Sequence, residues 1–256
     1  TQGLGEAAAR CFAALGSAGL VICGRNAANG EAIAKELSAA GCPTEYVRAD
    51  LAQVEDCRAV IARADSVFGR VDCLVNSAGI TDRGTILDTS PELFDRMLAV
   101  NLRAPFFLTQ EAVKLMRRKG EGGSIVNIAS MSAHGGQPFI TAYSASKGGL
   151  VTLTKNVAFA LLRERIRVNC LNIGWMDTPG EDRIQRVFHG EDDGWRAKAM
   201  ASVPLGRLVN PDEVARVIAF LASAESGMMT GAIIDFDQAV LGAYEAAPQP
   251  TPLPPG

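Results

Sequence analysis

The sequence predicts an α/β fold: a doubly wound parallel sheet in a single domain. Two observations carry this. Short runs nearly continuous in apolar residues recur along the chain, and longer runs of helical period separate them. The 256 residues, 48% hydrophobic and 21% charged, also suit one sizeable core.

The strand runs are 19–24 (GLVICG), 44–49 (TEYVRA), 71–75 (VDCLV), 123–129 (GSIVNIA), 166–172 (IRVNCLN) and 232–236 (AIIDF). Strands this apolar are covered on both faces, and parallel strands need helical crossovers. Helices are predicted over 4–16, 28–40, 54–68, 91–118, 142–164 and 211–223. Ser90-Pro91 reads as an N-cap and first helical residue, and Asn210-Pro211-Asp212-Glu213 as an N-cap, Pro at N1 and a capping-box Glu.

Residues 175–205 read as an irregular polar insertion, a substrate loop broken by Pro179, Gly180, Gly190, Gly194 and Pro204. Residues 243–256 form a Pro-rich tail, so the domain is taken as 1–242. Thr1-Gln2-Gly3-Leu4-Gly5 looks like the second half of a glycine-rich turn that follows a strand. A central first strand is therefore expected upstream of Thr1.

Formal net charge is −3, which offers no basic surface for nucleic acid or an anionic membrane. Arg117-Arg118-Lys119 falls where a helix ends and suits its dipole. The six cysteines lack C-x-x-C spacing and only two histidines occur, so no metal site is expected. The cysteines read as small buried hydrophobes in a reducing compartment, with the cytoplasm the expected location.

Gly3-Leu4-Gly5 precedes a helical run, so bare N–H groups at a helix N-terminus can meet a pyrophosphate; a tight strand-to-helix turn fits equally. Tyr143 and Lys147 stand at i and i+4 and share a helix face. The ammonium should lower the phenol pKa and make Tyr143 a general acid or base, though two unrelated surface residues have the same spacing. Ser130 and Asn76-Ser77-Ala78-Gly79 end strands at the carboxyl edge, where open parallel sheets bind ligands. Ser130 alone also reads as a turn serine. Asn101 sits among apolar neighbours within the 91–118 helix, where a buried amide needs partners.

Together these residues resemble the short-chain dehydrogenase/reductase family over Gly3 to about Asp237. Gly3-Leu4-Gly5 matches the second half of its T-G-x-x-x-G-[IL]-G turn. Asn76-Ser77-Ala78-Gly79 matches N-N-A-G with one change, and Ser130, Tyr143 and Lys147 keep the family spacing. The resemblance implies a Rossmann-like fold and hydride transfer between NADP or NAD and an alcohol or carbonyl carbon. It implies catalytic Asn101, Ser130, Tyr143 and Lys147, with Asn101 holding a water and Ser130 binding the substrate oxygen. The cofactor residues implied are Gln2, Gly3, Leu4, Gly5, Arg25, Asn26, Asp50, Leu51, Asn76, Ala78, Gly79, Tyr143, Lys147, Gly174, Met176 and Thr178. Ser130, His134, Gln137 and Tyr143 would meet the substrate, and Arg83 lies near the mouth; His134, Gln137 and Arg83 also read as solvated loop residues. Ile173-Gly174 replaces the common Pro-Gly, and Phe236-Asp237-Gln238-Ala239 replaces V-D-G-G.

NADP is favoured, because Gly24 stands where an NAD enzyme carries an acid and Arg25 follows. Gln2, where NADP members often carry a base, points mildly the other way. The small-molecule substrate is expected to be an alcohol or carbonyl compound, such as a sugar or polyol. A 3-oxoacyl carrier-protein reductase is one alternative and a non-enzymatic cofactor sensor or scaffold another. A homotetramer, or a homodimer, is expected through helices 91–118 and 142–164.

Overall fold

The computed structural model describes residues 2–242, and every strand pair in it runs parallel. Strand β1 (Leu20–Gly24) pairs with β2 (Thr44–Arg48). A second group runs in the order β3 (Cys73–Asn76), β4 (Gly123–Ser130), β5 (Ile166–Ile173) and β6 (Ile233–Phe236). The crossovers carry α1 (Gly3–Ala14), α2 (Ala27–Ala39), α3 (Val54–Phe68), α4 (Pro91–Leu98), α5 (Ala104–Lys119), α6 (Thr141–Ala160), α7 (Pro179–Phe188), α8 (Trp195–Ser202) and α9 (Pro211–Ala222). This is the Rossmann-like doubly wound arrangement predicted above.

Alternation along the central strands fills two layers. Ile125 of β4 and Val168 of β5 pack with Ile61 of α3, Leu108 and Ala112 of α5 and Ala158 of α6. Val126, Ile128 and Leu171 face the other way, onto Leu4 and Ala8 of α1 and Val214, Ile218 and Leu221 of α9. Ile125, Leu171 and Ile218 are fully buried, and each contributes about 1.5–3 kcal/mol of apolar burial.

β1 and β3 do not pair with each other. Both line one continuous cavity of about 2000 Å³, with Phe12, Val60, Ala64, Phe68 and Leu108 among its apolar walls. Every residue of β1 is only partly buried, whereas six consecutive residues of β4 are buried.

Three predicted elements differ. The 91–118 helix is interrupted by a π turn over 99–103, so that α4 and α5 are separate. Pro105 explains the break: it has no N–H for the carbonyl of Asn101 four residues back, and its ring crowds that turn. The 142–164 helix ends at Ala160, and a short 3-10 turn (Leu162–Glu164) leads to Arg165 at φ 58. The insertion 175–205 is not irregular, because it holds α7 and α8. Its Pro179 begins a helix: Thr178 caps α7 by accepting the Glu181 N–H at 3.1 Å. Trp195, 2% exposed, anchors α8 against Leu208. The basic run at 117–119 does end α5, and Arg117 and Arg118 also pair with Glu164 and Asp65. The tail 243–256 lies outside the described residues. Among those residues no helix is long and apolar enough to cross a membrane.

Candidate active site

The carboxyl ends of β3, β4 and β5 open onto the cavity. In the β4–β5 register Ser130 stands opposite Ile173, which brings Ser130 and Gly174 to one edge. Ser130 Oγ accepts the Ser132 N–H at 3.1 Å, a local turn that fixes the hydroxyl at the strand end. Tyr143 and Lys147 come from the first two turns of α6. That start is tied down by two main-chain bonds: Gly84 N to Phe139 O at 2.9 Å, and Thr141 N to Gly84 O at 3.2 Å.

Lys147 is 3% exposed, and its Nζ donates to the Ile128 carbonyl at 2.7 Å. Burial pulls this ammonium down to about 8. Its Nζ lies 5.7 Å from the centre of the Tyr143 ring. The Tyr143 phenol is pushed above its ordinary value by burial, with Ser130 and Arg83 pulling the other way. The net direction is upward, opposite to the lowered phenol expected, because burial outweighs the neighbouring charges. Desolvation dominates at both groups, and the ammonium is anchored to a strand carbonyl.

Asn101 is fully buried in the π turn. Its Oδ1 accepts the Ile80 N–H at 2.9 Å, and its Nδ2 donates to Ile80 O at 2.9 Å and Ser146 Oγ at 3.1 Å. The side chain therefore clamps the loop after β3 onto α6. A Cβ at Gly79 would stand 3.4 Å from Asn101 Oδ1 and 3.5 Å from Lys147 Nζ, so Asn101 and Lys147 converge on this bare backbone. Asn76 Nδ2 donates to Asn127 Oδ1 at 2.8 Å, and Asn127 passes the chain to Thr154. Asn76 Oδ1 is buried without a partner and belongs to a residue lining the cavity.

The remaining cavity wall fits a dinucleotide. Gln2 enters α1 in extended conformation without capping it, which leaves the first amides of the helix for an anion. Gly3 has φ +55, and its Cβ would lie 3.5 Å from the Thr178 methyl. The N-termini of α1 and α7 thus meet. Leu4 is buried, and a Cβ at Gly5 would press on Ser77 Oγ at 3.0 Å. Arg25, Asn26 and Ala78, all exposed, and the half-buried Leu51 and Met176 also line the cavity, and Asn26 caps α2 through the Asn29 N–H at 3.1 Å. A Cβ at Gly174 would fall 2.0 Å from Asp237 Oδ1, so a side chain there would have to displace Asp237. Asp50 is the exception. It does not line the cavity, and its Oδ1 instead accepts the Ala52 N–H at 3.1 Å in the turn after β2.

Of the expected substrate residues, Gln137 is engaged by Ser132 Oγ at 2.5 Å. His134 Nε2 lies 3.0 Å from Asp235 Oδ1 and 3.1 Å from Asn172 Nδ2, held toward β6. Both still line the cavity. Sequence reasoning missed the cluster on α7. Trp175 Nε1 and Gln185 Nε2 both donate to Glu181 Oε1, at 2.8 and 2.7 Å. Trp175 stacks on Trp195 at 6.4 Å. The signal was available, because Thr178-Pro179-Gly180-Glu181 has capping-box spacing.

A family model described as enoyl-(acyl carrier protein) reductase matches residues 1–239. The chain is 34% identical over 237 residues to a 3-oxoacyl-[acyl-carrier-protein] reductase of Thermotoga maritima, covering 92% of each. It is 33% identical over 229 residues to the galactitol 2-dehydrogenase of Agrobacterium fabrum, covering 88% of each. Among solved structures it is similar to the 3-ketoacyl-(acyl-carrier-protein) reductase of Brucella melitensis complexed with NADH, with 34% identity, TM-score 0.82 and 93% of each chain covered. It is also similar to an actinorhodin polyketide ketoreductase variant with NADPH, with 30% identity, TM-score 0.85, and 93% and 92% covered.

Proposed function

The chain belongs to the short-chain dehydrogenase/reductase family of oxidoreductases, and from that premise we propose that Tyr143 is the general acid/base for hydride transfer between NADP or NAD and a secondary alcohol or carbonyl carbon. One observation carries the reading. The Tyr143 phenol stands beside Ser130 at the cavity edge, with the Lys147 ammonium buried behind it.

Bound, the nicotinamide group supplies or accepts the hydride. In reduction Tyr143 gives its phenolic proton to the carbonyl oxygen, and in oxidation it takes the hydroxyl proton back. Ser130 Oγ donates to that same oxygen as charge develops on it. Lys147 keeps a positive charge near the phenol, and Asn101 holds the loop after β3 in place through Ile80. The α1 amides from Gln2 to Gly5 would hold the pyrophosphate, Arg25 and Asn26 the adenosine end, and Gly174, Met176 and Thr178 the carboxamide end.

NADP is the preferred cofactor in this reading. Arg25 is exposed and in no ion pair among the described residues, and no acid stands at Gly24. A small polar substrate such as a sugar or polyol is preferred over a carrier-bound thioester, because α7 and α8 mix Glu181 and Asp182 with Arg183, Arg186, Arg196 and Lys198 and show no basic excess. The six free cysteines support a cytoplasmic setting.

A screen of sugars, polyols and ketones with both cofactors, read by nicotinamide absorbance, tests this. Turnover that falls by about 10²–10⁴-fold in Tyr143→Phe with cofactor binding intact is expected. Cofactor binding without turnover on any substrate would favour a sensor or scaffold.

A further inference from the structure

Arg83 lines the cavity and has no role in the mechanism above. It sits on the loop after β3, next to Gly84, which is bonded to Phe139 and Thr141 just before Tyr143. Its Nη1 donates to Thr81 O at 2.9 Å and its Nε to His189 Nε2 at 3.1 Å. The guanidinium lies 5.4 Å from the centre of the Phe139 ring, and the His189 ring stands edge-on to Phe139 at 6.0 Å. A stacked, doubly tethered fork is therefore held in a fixed orientation on the cavity wall.

Arg83 is half-buried, yet it is in no ion pair among the described residues. The structure uses two of its five N–H donors. Partly desolvating a guanidinium is costly unless an anion answers it. Two acids on the same wall, Glu181 and Asp82, favour the charged guanidinium through space, but Glu181 is taken by Trp175 and Gln185 and neither is in ion-pair contact with it among the described residues. Arg183 of α7 lines the cavity too, exposed and likewise in no ion pair among the described residues. Arg83 is close enough to act on the Tyr143 phenol through its charge. Arg83 and Tyr143 line the same cavity, and Gly84 ties the loop of the one to the start of the helix of the other.

We propose that Arg83 is the carboxylate-binding residue of this pocket, so that the substrate is a hydroxy acid or oxo acid. The inference rests on the reading of Tyr143 as acid/base, and it narrows that reading to a polar substrate with an anionic end.

The test uses the whole chain with NADPH present and four probes: acetoacetate, levulinate and the methyl ester of each. Trp175 lines the cavity and reports binding by its fluorescence. At least one acid should bind about tenfold or more tighter than its ester. Arg83→Gln should bring each pair within about twofold, and Arg83→Lys should keep part of the difference. Equal binding of acid and ester by the unaltered chain overturns the proposal, whether or not Arg83→Gln folds. So does an acid preference that survives Arg83→Gln. Full turnover by Tyr143→Phe would instead sink the acid/base reading, and leaves this comparison of binding standing.

Discussion

Lys147 Nζ is bonded to the carbonyl of Ile128 at 2.7 Å, so the ammonium behind Tyr143 is positioned by a strand of the sheet. Among the described residues no carboxylate pairs with it, and burial pulls its pKa down to about 8. The charge that supports the phenol is therefore lost within reach of neutral pH. Carbonyl reduction should run at a plateau below that value, and kcat/KM should fall as pH rises through about 8 and Lys147 loses its proton. A pH profile with saturating NADPH checks this. A profile flat well above that pH would show that Lys147 stays charged.

The same burial costs stability. The folded pKa of about 8 lies below the ordinary 10.5, so the unfolded chain binds the proton more tightly. The penalty is fully present below about 8 and fades as pH rises toward 10.5. It is on the order of 3 kcal/mol, partly offset by the bond to Ile128. Lys147→Met should remove most turnover and yet raise Tm at neutral pH by about 2–6 °C. A lower Tm would mean that the Ile128 bond outweighs desolvation.

Arg25→Asp should move cofactor preference from NADP toward NAD by about tenfold or more. An acid beside Gly24 can accept from a ribose hydroxyl and repels a phosphate. The ratio of kcat/KM for the two cofactors decides it, and an unchanged ratio removes Arg25 from the cofactor site.

Local patterns were legible where neighbouring residues decide the outcome. Apolar runs marked the six strands, Ser90 caps α4 through Leu93 N at 3.2 Å, and Asn210 caps α9 through Asp212 N at 2.8 Å. The spacing of Ser130, Tyr143 and Lys147 survived into one wall of one cavity. Contacts between distant segments were not legible. Nothing near Lys147 announces Ile128, nothing near His134 announces Asp235, and Arg83 meets His189 across more than a hundred residues. The direction of the Tyr143 shift was missed for that reason, because burial is a property of the assembled layers.

Assembly is the next expectation. Phe106 of α5 and Phe159 of α6 are 46% and 79% exposed, with Leu162 beside the latter in sequence at 50%. Pairing these helices with a second copy would cover them and stiffen the element carrying Tyr143 and Lys147. Light scattering should give a dimer or tetramer of the 27.0 kDa chain. A fully active monomer would rule that out.

The cavity between β1 and β3 yields the last prediction. β1 edges a two-stranded sheet and β3 a four-stranded one, and both line the same space, so among the described residues their outward N–H and C=O groups have no ladder there. Asn76, at the end of β3, also keeps a buried oxygen unanswered. Apolar side chains from α1, α3 and α5, including Phe12, Ile61 and Leu108, close the space above and below, as they do for a central parallel strand. An extended apolar segment of about six residues, parallel to both neighbours, would complete the ladder. Its carboxyl end would emerge beside Gln2, which lines the same cavity and opens α1. A chain extended upstream of Thr1 by such a segment should melt several degrees higher and bind NADPH at least about tenfold more tightly, because the turn at Gly3-Leu4-Gly5 would then be anchored at both ends. Calorimetry and NADPH titration of the two chains make the comparison, and equal Tm with equal affinity would show that the space between β1 and β3 is not the seat of a strand.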